Sequence, residues 1–532
     1  MSPPHLVVAP MLVALVTAIA TAGVRRFPRL QRAASLAGSL AYAGAVALLW
    51  AAVAREGAIA YQVSNWQAPF GISLVADDLS VFMLGLAAVV GVAALAFGVV
   101  YLDQVAQRVS FHPLYHLMLV GVSGAFLTGD VFNLFVWFEV MLMPSYVLVV
   151  FYSGAEHTRA ALQYTVLNLV GSAVMLVAIG GLYATTGTLN MADMAHRLAN
   201  AGAYDIALPP VLGLGGLLVA VFALKAGIVP FQFWVPAAYR AAPAPVSAFL
   251  AGVTKKVGVY AIVRLLFTVF DRATLAADLG LPGLTGTSFL SFFGPVLFLM
   301  AAGSILLGGI GAVNRDDVDG VLAYSSIGQV GFIVLPLSVA ATAGGPLRTL
   351  GLVATLVYAL NHAVAKSLLF LVSGAIQDRV GAIRLGQLGG LAGRTPVLAG
   401  SFLLGAFALV GIPPLSGFFG KLLVFQTGVA AVEAGAPAAW LVLAVALVGA
   451  VLTIVYLSRL WNETFWGEES RAVAGPTADR WAMAGVLVAL AAVVVALGVG
   501  FDPVYRAAEA AAEAAVAPDN EYVRAVLPEV GR

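Results

Sequence analysis

Apolar residues run in blocks of about twenty along almost the whole chain, with short polar stretches between them, and within the blocks apolar and polar positions do not alternate. Blocks of that length, coiled as helices, match the ~30 Å hydrocarbon core of a bilayer. The ~10-residue alternation of a membrane β-barrel is missing. Unpaired backbone amides are too costly in hydrocarbon, so each block is predicted to be a helix. Fourteen spans result, at about residues 5–24, 33–54, 78–102, 113–130, 131–152, 162–187, 209–230, 245–270, 286–313, 319–342, 346–377, 395–430, 437–466 and 479–500. The longer ones are expected to be tilted or broken.

Two of these spans carry helix breakers beside a lysine. In LKAGIVPFQFWVP, Pro230 cannot donate to the carbonyl of Ala226, so the seventh span should break one turn after Lys225. In GIPPLSGFFGKLLVF, Pro413, Pro414 and Gly417 should break the twelfth span before Lys421. Interrupted spans five helices apart suggest duplicated five-helix units, spans 4–8 and 9–13. Paired broken helices are a pointer to midplane ion sites in transporters. The predicted fold is therefore an all-α polytopic membrane protein with two inverted five-helix repeats. Its parts are residues 1–112 (three helices), 113–270 and 286–466 (the repeats), and 467–532 (a last helix and a tail).

Composition sharpens the picture. Hydrophobic residues make up 61% of the 532-residue chain and charged ones 10%, against about a quarter charged in ordinary globular domains. The net charge of +1 gives no sign of nucleic acid as a partner. With no cysteine, disulfides, thiolate-ligated iron–sulfur clusters and cysteine nucleophiles are excluded. Neither a cofactor nor a resident metal is expected. The first apolar run is followed, not preceded, by Arg25, Arg26, Arg29 and Arg32, unlike a signal peptide. Counted over the loops, this register puts about fourteen arginines on one side and about four on the other, which predicts that both termini lie outside. The tail, with Asp502, Glu509, Glu513, Asp519 and Glu521, reads as an external Ala-rich amphipathic helix.

All five lysines, Lys225, Lys255, Lys256, Lys366 and Lys421, fall inside apolar segments, while arginine supplies the other 22 basic residues. An ammonium, unlike a guanidinium, can give up its proton where water is scarce. Glu139 sits mid-span in VWFEVMLMPSY, where a carboxylate is expensive and by default functional; the bland alternative is a protonated side chain satisfying a helix contact. His362 and Lys366 are four apart and share a face, a spacing that suits a proton relay; a core histidine bonded to a carbonyl is the alternative.

The runs GDVFNLFVWFEVMLMPSY, FALKAGIVPFQFWVP, TKKVGVYAIVRL, LAYSSIGQVGF, NHAVAKSLLFLVSG and GIPPLSGFFGKLLVF resemble, in order over roughly residues 70–470, one superfamily of antiporter-like subunits. These occur in multisubunit Mrp-type sodium/proton antiporters and in the membrane arm of respiratory complex I. GTLNMADMA and KKVGVYAIVR are most similar to the D-type branch of the Mrp subunits. The resemblance implies that Glu139 pairs with Lys225, that Lys256 is the central lysine, and that His362 and Lys366 connect it to Lys421. It also implies a proton-conducting, non-enzymatic subunit of a hetero-oligomeric complex in the cell membrane, handling H⁺ and Na⁺. The alternative is a pumping subunit of complex I or a membrane-bound hydrogenase. Lysine at position 421, where the corresponding complex I subunit has glutamate, favours the antiporter.

Lys255 departs from the family pattern. Its amine is expected to snorkel or to hydrogen-bond a neighbouring helix. On an ideal helix its face carries Ala251, Val259, Ile262 and Leu266, which reads as packing or lipid, whereas Lys256 heads a polar strip with Tyr260 and Arg264. His112 and His116 are four apart, but no further ligand joins them, so an interfacial relay or packing is preferred to a metal. Asn314–Asp319 reads as a solvated turn, Glu463, Glu468 and Glu469 as a rim, and Phe231, Phe233 and Trp234 as packing. No cluster of intramembrane oxygens stands out as a sodium cage.

Overall fold

A computed structural model describes residues 3–103, 107–278, 285–474, 480–516 and 521–528. Among these residues twelve helices are long and apolar enough to cross a membrane. A shorter apolar helix, His112–Leu127, is the fourth crossing, and Pro396–Val410 followed by Ser416–Glu433 makes the twelfth, so the fourteen expected spans are all present. The sixth runs two turns further than expected, Ala155–Thr186, because nothing in HTRAALQY breaks a helix. Two short antiparallel hairpins were not foreseen. Ile59–Gln62 pairs with Ser73–Ala76, and Thr274–Asp278 with Thr285–Ser288, each capping a turn between spans.

The expected repeats are visible as matching backbone devices. An aspartate caps the second helix of each unit: Asp130 accepts from Asn133 N and Asp317 from Gly320 N, both at 2.7 Å. Val131 N donates to Leu189 O (2.9 Å) and Val318 N to Ile383 O (3.0 Å), tying those helix starts to the chain just beyond the next long helix. Those long helices end at Gly187 and Gly381, both left-handed at φ 72°. The helices that follow break at Gly227 (φ 66°) and Gly411 (φ 93°), a conformation open to glycine and strained for other residues. Five spans is an odd number, so the two units begin on opposite faces and are inverted.

Three helices form the enclosed centre. Every position in the most apolar stretch of the eighth span (Ala244–Val269) is buried, as are 94% in the tenth (Val318–Thr342) and the eleventh (Gly345–Val380), against 33% in the thirteenth and fourteenth. Glycines allow the ninth and tenth spans to touch backbone to backbone, since a Cβ on Gly308 would overlap Gly328 and one on Gly331 would overlap Ala301. Beyond the fourteenth span (Trp481–Val499) the tail forms the helices Phe501–Val516 and Glu521–Val526. The first is amphipathic as expected, and it buries Ala508, Ala511, Ala512 and Ala515 against the third and eleventh spans and the end of the eighth. Asp519 lies outside the described residues.

Candidate functional site

At the first break the seventh span stops as helix Leu208–Ala226 and resumes as Trp234–Ala241, with Lys225 in the last turn before the gap. Lys225 Nζ donates to Ser172 Oγ (3.1 Å) and to the carbonyl of Asn168 (3.3 Å), both on the sixth span. The Ser172 hydroxyl in turn donates to Glu139 Oε1. Glu139 and Lys225 are thus brought together as expected, but through a serine between carboxylate and ammonium. Glu139 is only half-buried, while Lys225 is buried. Trp234 ties the break together by donating to Leu224 O (2.8 Å) and stacking on Tyr164, which is the packing role expected of it.

Lys256, His362 and Lys366 meet in the enclosed centre, all fully buried. Lys256 Nζ lies 2.6 Å from Ala251 O and 2.5 Å from His362 Nδ1. With Nζ as donor, the imidazole carries its proton on Nε2, which has no protein partner. Lys366, one turn along the same helix, donates to Leu322 O (3.0 Å) and Ser325 Oγ (2.8 Å). Polar side chains that the sequence reading missed extend the line from there. Ser325 bonds Tyr456 (2.7 Å), Gln329 Nε2 donates to Tyr456 Oη (2.8 Å), and Tyr358 donates to Gln329 Oε1. LAYSSIGQVGF carried their signal, two serines and a glutamine at helical spacing in an otherwise apolar span.

Lys421 stands one turn into the helix after the second break. Its Nζ donates to Val410 O (3.0 Å) and lies 5.0 Å from the ring centre of Phe332, which packs on Tyr358. Asn361 secures that break by accepting from Ser416 Oγ (2.9 Å) and donating to Ala408 O (3.3 Å).

Lys255 makes the hydrogen bond to a neighbouring helix that was one expectation for its amine, but its surroundings differ from the apolar face expected. Neither lipid nor an apolar wall surrounds its ammonium, which donates to Ser326 O (3.3 Å), sits 5.9 Å from the Tyr239 ring centre and abuts Gly227 at the first break. The eighth span is enclosed on every side, so the polarity of one helical face does not show where it points. The strip on the other face is real but closed. Arg264 binds Tyr260 (3.2 Å) and forms two 2.7 Å bonds with Asp77, a buried ion pair covered by the ring of Tyr522 from the tail. Asp319 is also not simply solvated, since it accepts from Ser373 Oγ at 2.6 Å. Among the described residues no three metal-type ligands cluster. His116 Nε2 pairs with Ser35 Oγ (2.9 Å).

Residues 128–453 match the family described as NADH:quinone oxidoreductase/Mrp antiporter, transmembrane. The chain is 34% identical to the D-type subunit of the Na(+)/H(+) antiporter of Alkalihalophilus pseudofirmus, over 90% of each chain. It is 35% identical to the N-type subunit of the NADH-quinone oxidoreductase of Desulforudis audaxviator, over 86% of each. Among solved structures, a chain of the Mrp complex from Dietzia sp. DQ12-45-1b superposes with a TM-score of 0.84 at 29% identity, covering 99% of this chain and 100% of that one. The chain belongs to the NADH:quinone oxidoreductase/Mrp antiporter family of multi-pass membrane proteins.

Proposed function

We propose that this chain is the proton-conducting, D-type member of a multisubunit monovalent cation (Na⁺)/H⁺ antiporter, without enzymatic activity of its own. One observation carries the reading. Glu139, Ser172 and Lys225 at one helix break and Lys421 at the other flank a buried centre of Lys256, His362 and Lys366, in which hydroxyls or carbonyls hold each lysine, Lys256 holds the imidazole, and no fixed counter-charge stands within the line. Amines kept in that setting can lose and regain protons, and hydroxyls and imidazole between them can pass protons on. The inverted repeats offer one break toward each face, so the line can be loaded from one side and emptied to the other.

Glu139 lies at the edge of the subunit, where a neighbouring subunit of the complex can adjust it. The arginine-rich face is taken as cytoplasmic. Sodium is assigned to no site in this chain. Expression of the complete subunit set in a host lacking its own antiporters tests the reading. Everted vesicles with an imposed pH gradient and no electron donor should then show sodium-dependent proton movement. The pumping reading, supported by the similarity to an NADH-quinone oxidoreductase subunit, expects no movement until an electron donor is added.

A further inference from the structure

A cavity of about 740 Å³ opens on the arginine-rich face, between the third, sixth, seventh, tenth and eleventh spans. Arg240, ion-paired with Asp317 at 3.2 Å, stands on its wall. Asp319 lines it from the first turn of the tenth span and accepts from Ser373 of the eleventh. Seven residues deeper along each of these helices, about 10 Å at 1.5 Å per residue, come Ser326 and Lys366. Lys366 donates there to Leu322 O and Ser325 Oγ, and Lys255 arrives from the eighth span to donate to Ser326 O. Lys255 also sits against Tyr239, whose helix, Trp234–Ala241, lines the cavity through Ala237 and Arg240. The hydroxyls of Tyr239 and Ser326 are both buried here, and among the described residues neither makes a hydrogen bond within the protein.

We propose that this cavity is the chamber through which the lysine line exchanges protons with water on the arginine-rich face. Asp319 carries them between that water and the Lys366–Lys255 pair. The inference rests on the proton-path reading above and adds to it a carboxylate and a role for the lysine that departs from the family pattern. The step is proton transfer alone. A carboxylic acid gives its proton through the Tyr239 and Ser326 hydroxyls and water to a neutral amine, leaving carboxylate and ammonium, and the reverse reloads it. The charged and titratable groups around Asp319 are Tyr101 from the third span, Tyr152, Glu156, His157 and Arg159 before and within the sixth, Arg240 from the seventh, Asp317 at its own helix start and Asp378 from the eleventh. Glu156 is exposed, whereas Asp319 is set inward beside Ser373, on the side of the lysines.

The test uses the whole complex in everted vesicles, whose outer bath is in contact with the arginine-rich face. Asp319→Asn should slow exchange about ten-fold or more and flatten its dependence on bath pH, while Asp319→Glu should keep most of the rate. Wild-type rate and pH profile in a normally assembled Asp319→Asn complex would overturn the proposal. Lys256→Ala run in parallel separates the two readings. If it is dead and Asp319→Asn is unaffected, the chamber fails and the lysine line stands; if Lys256→Ala is itself active, the underlying reading fails. Should Asp319→Asn not assemble, Ala237→Cys in this cysteine-free chain decides the matter. A membrane-impermeant thiol reagent in the bath should label this chain and block exchange. No labelling from that side, or labelling without loss of rate, would refute the chamber.

Discussion

Removing Asp77 should destabilise the protein far more than a typical carboxylate substitution. The Arg264 side chain is 1% exposed and that of Asp77 4%, and two 2.7 Å bonds join them. Asp77→Ala strands a guanidinium, which keeps only weaker contacts, with Ser80 and Tyr260 at 3.2 Å, with Thr268 at 3.5 Å and with the ring of Tyr522. Breaking one side of a buried pair costs about 3–5 kcal/mol, and these remaining contacts place this case near 3. Asp77 also caps the third span by accepting from Ser80 N at 2.9 Å, worth about 1 kcal/mol. The total is about 4 kcal/mol. Asp77→Ala combined with Arg264→Met removes both charges and should leave only the cap loss, about 1 kcal/mol below wild type. The measurement is unfolding of the purified complex in a denaturing-detergent titration, followed by far-UV circular dichroism. An Asp77→Ala protein within 1 kcal/mol of wild type, or a double variant less stable than the single, would refute the reasoning.

Glu139→Gln keeps the shape and the Ser172 hydrogen bond but removes the titratable anion, so sodium-dependent exchange in vesicles should be lost while the complex assembles; a wild-type rate at normal abundance would contradict this. Lys225→Ala and Lys421→Ala should each reduce exchange about a hundred-fold, and arginine should not restore it at either position, because guanidinium keeps its proton at any working pH; full activity of either arginine variant would make that residue a fixed counter-charge. Gly417→Ala should cost about 1–3 kcal/mol and lower the amount of assembled protein, because its Cβ would overlap the Ala408 carbonyl across the second break; unchanged abundance and melting would show that the break relaxes freely.

The spans, the two breaks and the titratable residues were legible because each rests on local chemistry: an apolar run, a proline after a glycine, an acid or amine at membrane depth. The residues between them were not, because their meaning is set by neighbours far along the chain. Ser172 is an ordinary serine until the sixth span brings it between Glu139 and Lys225, 33 and 53 residues away. Asp77 carries no signal of its ion pair, because its partner lies 187 residues on. The surroundings of Lys255 were illegible for a different reason. Facial polarity says where a helix points only when one side meets lipid or water, and the eighth span meets neither. Asp319, in a charged run, read as a solvated turn until Ser373 and the cavity wall enclosed it.

The most direct measurement is sodium-dependent proton movement in everted vesicles carrying Lys256→Arg, with no electron donor present and protein abundance matched to wild type. Lys256 holds the centre of the line through Ala251 O and His362 Nδ1. A permanently protonated side chain preserves the charge and the donor but cannot release a proton. If the buried amines carry protons, wild-type vesicles respond to sodium and Lys256→Arg vesicles do not. A Lys256→Arg complex that exchanges at the wild-type rate would contradict the claim and reduce these lysines to fixed charges.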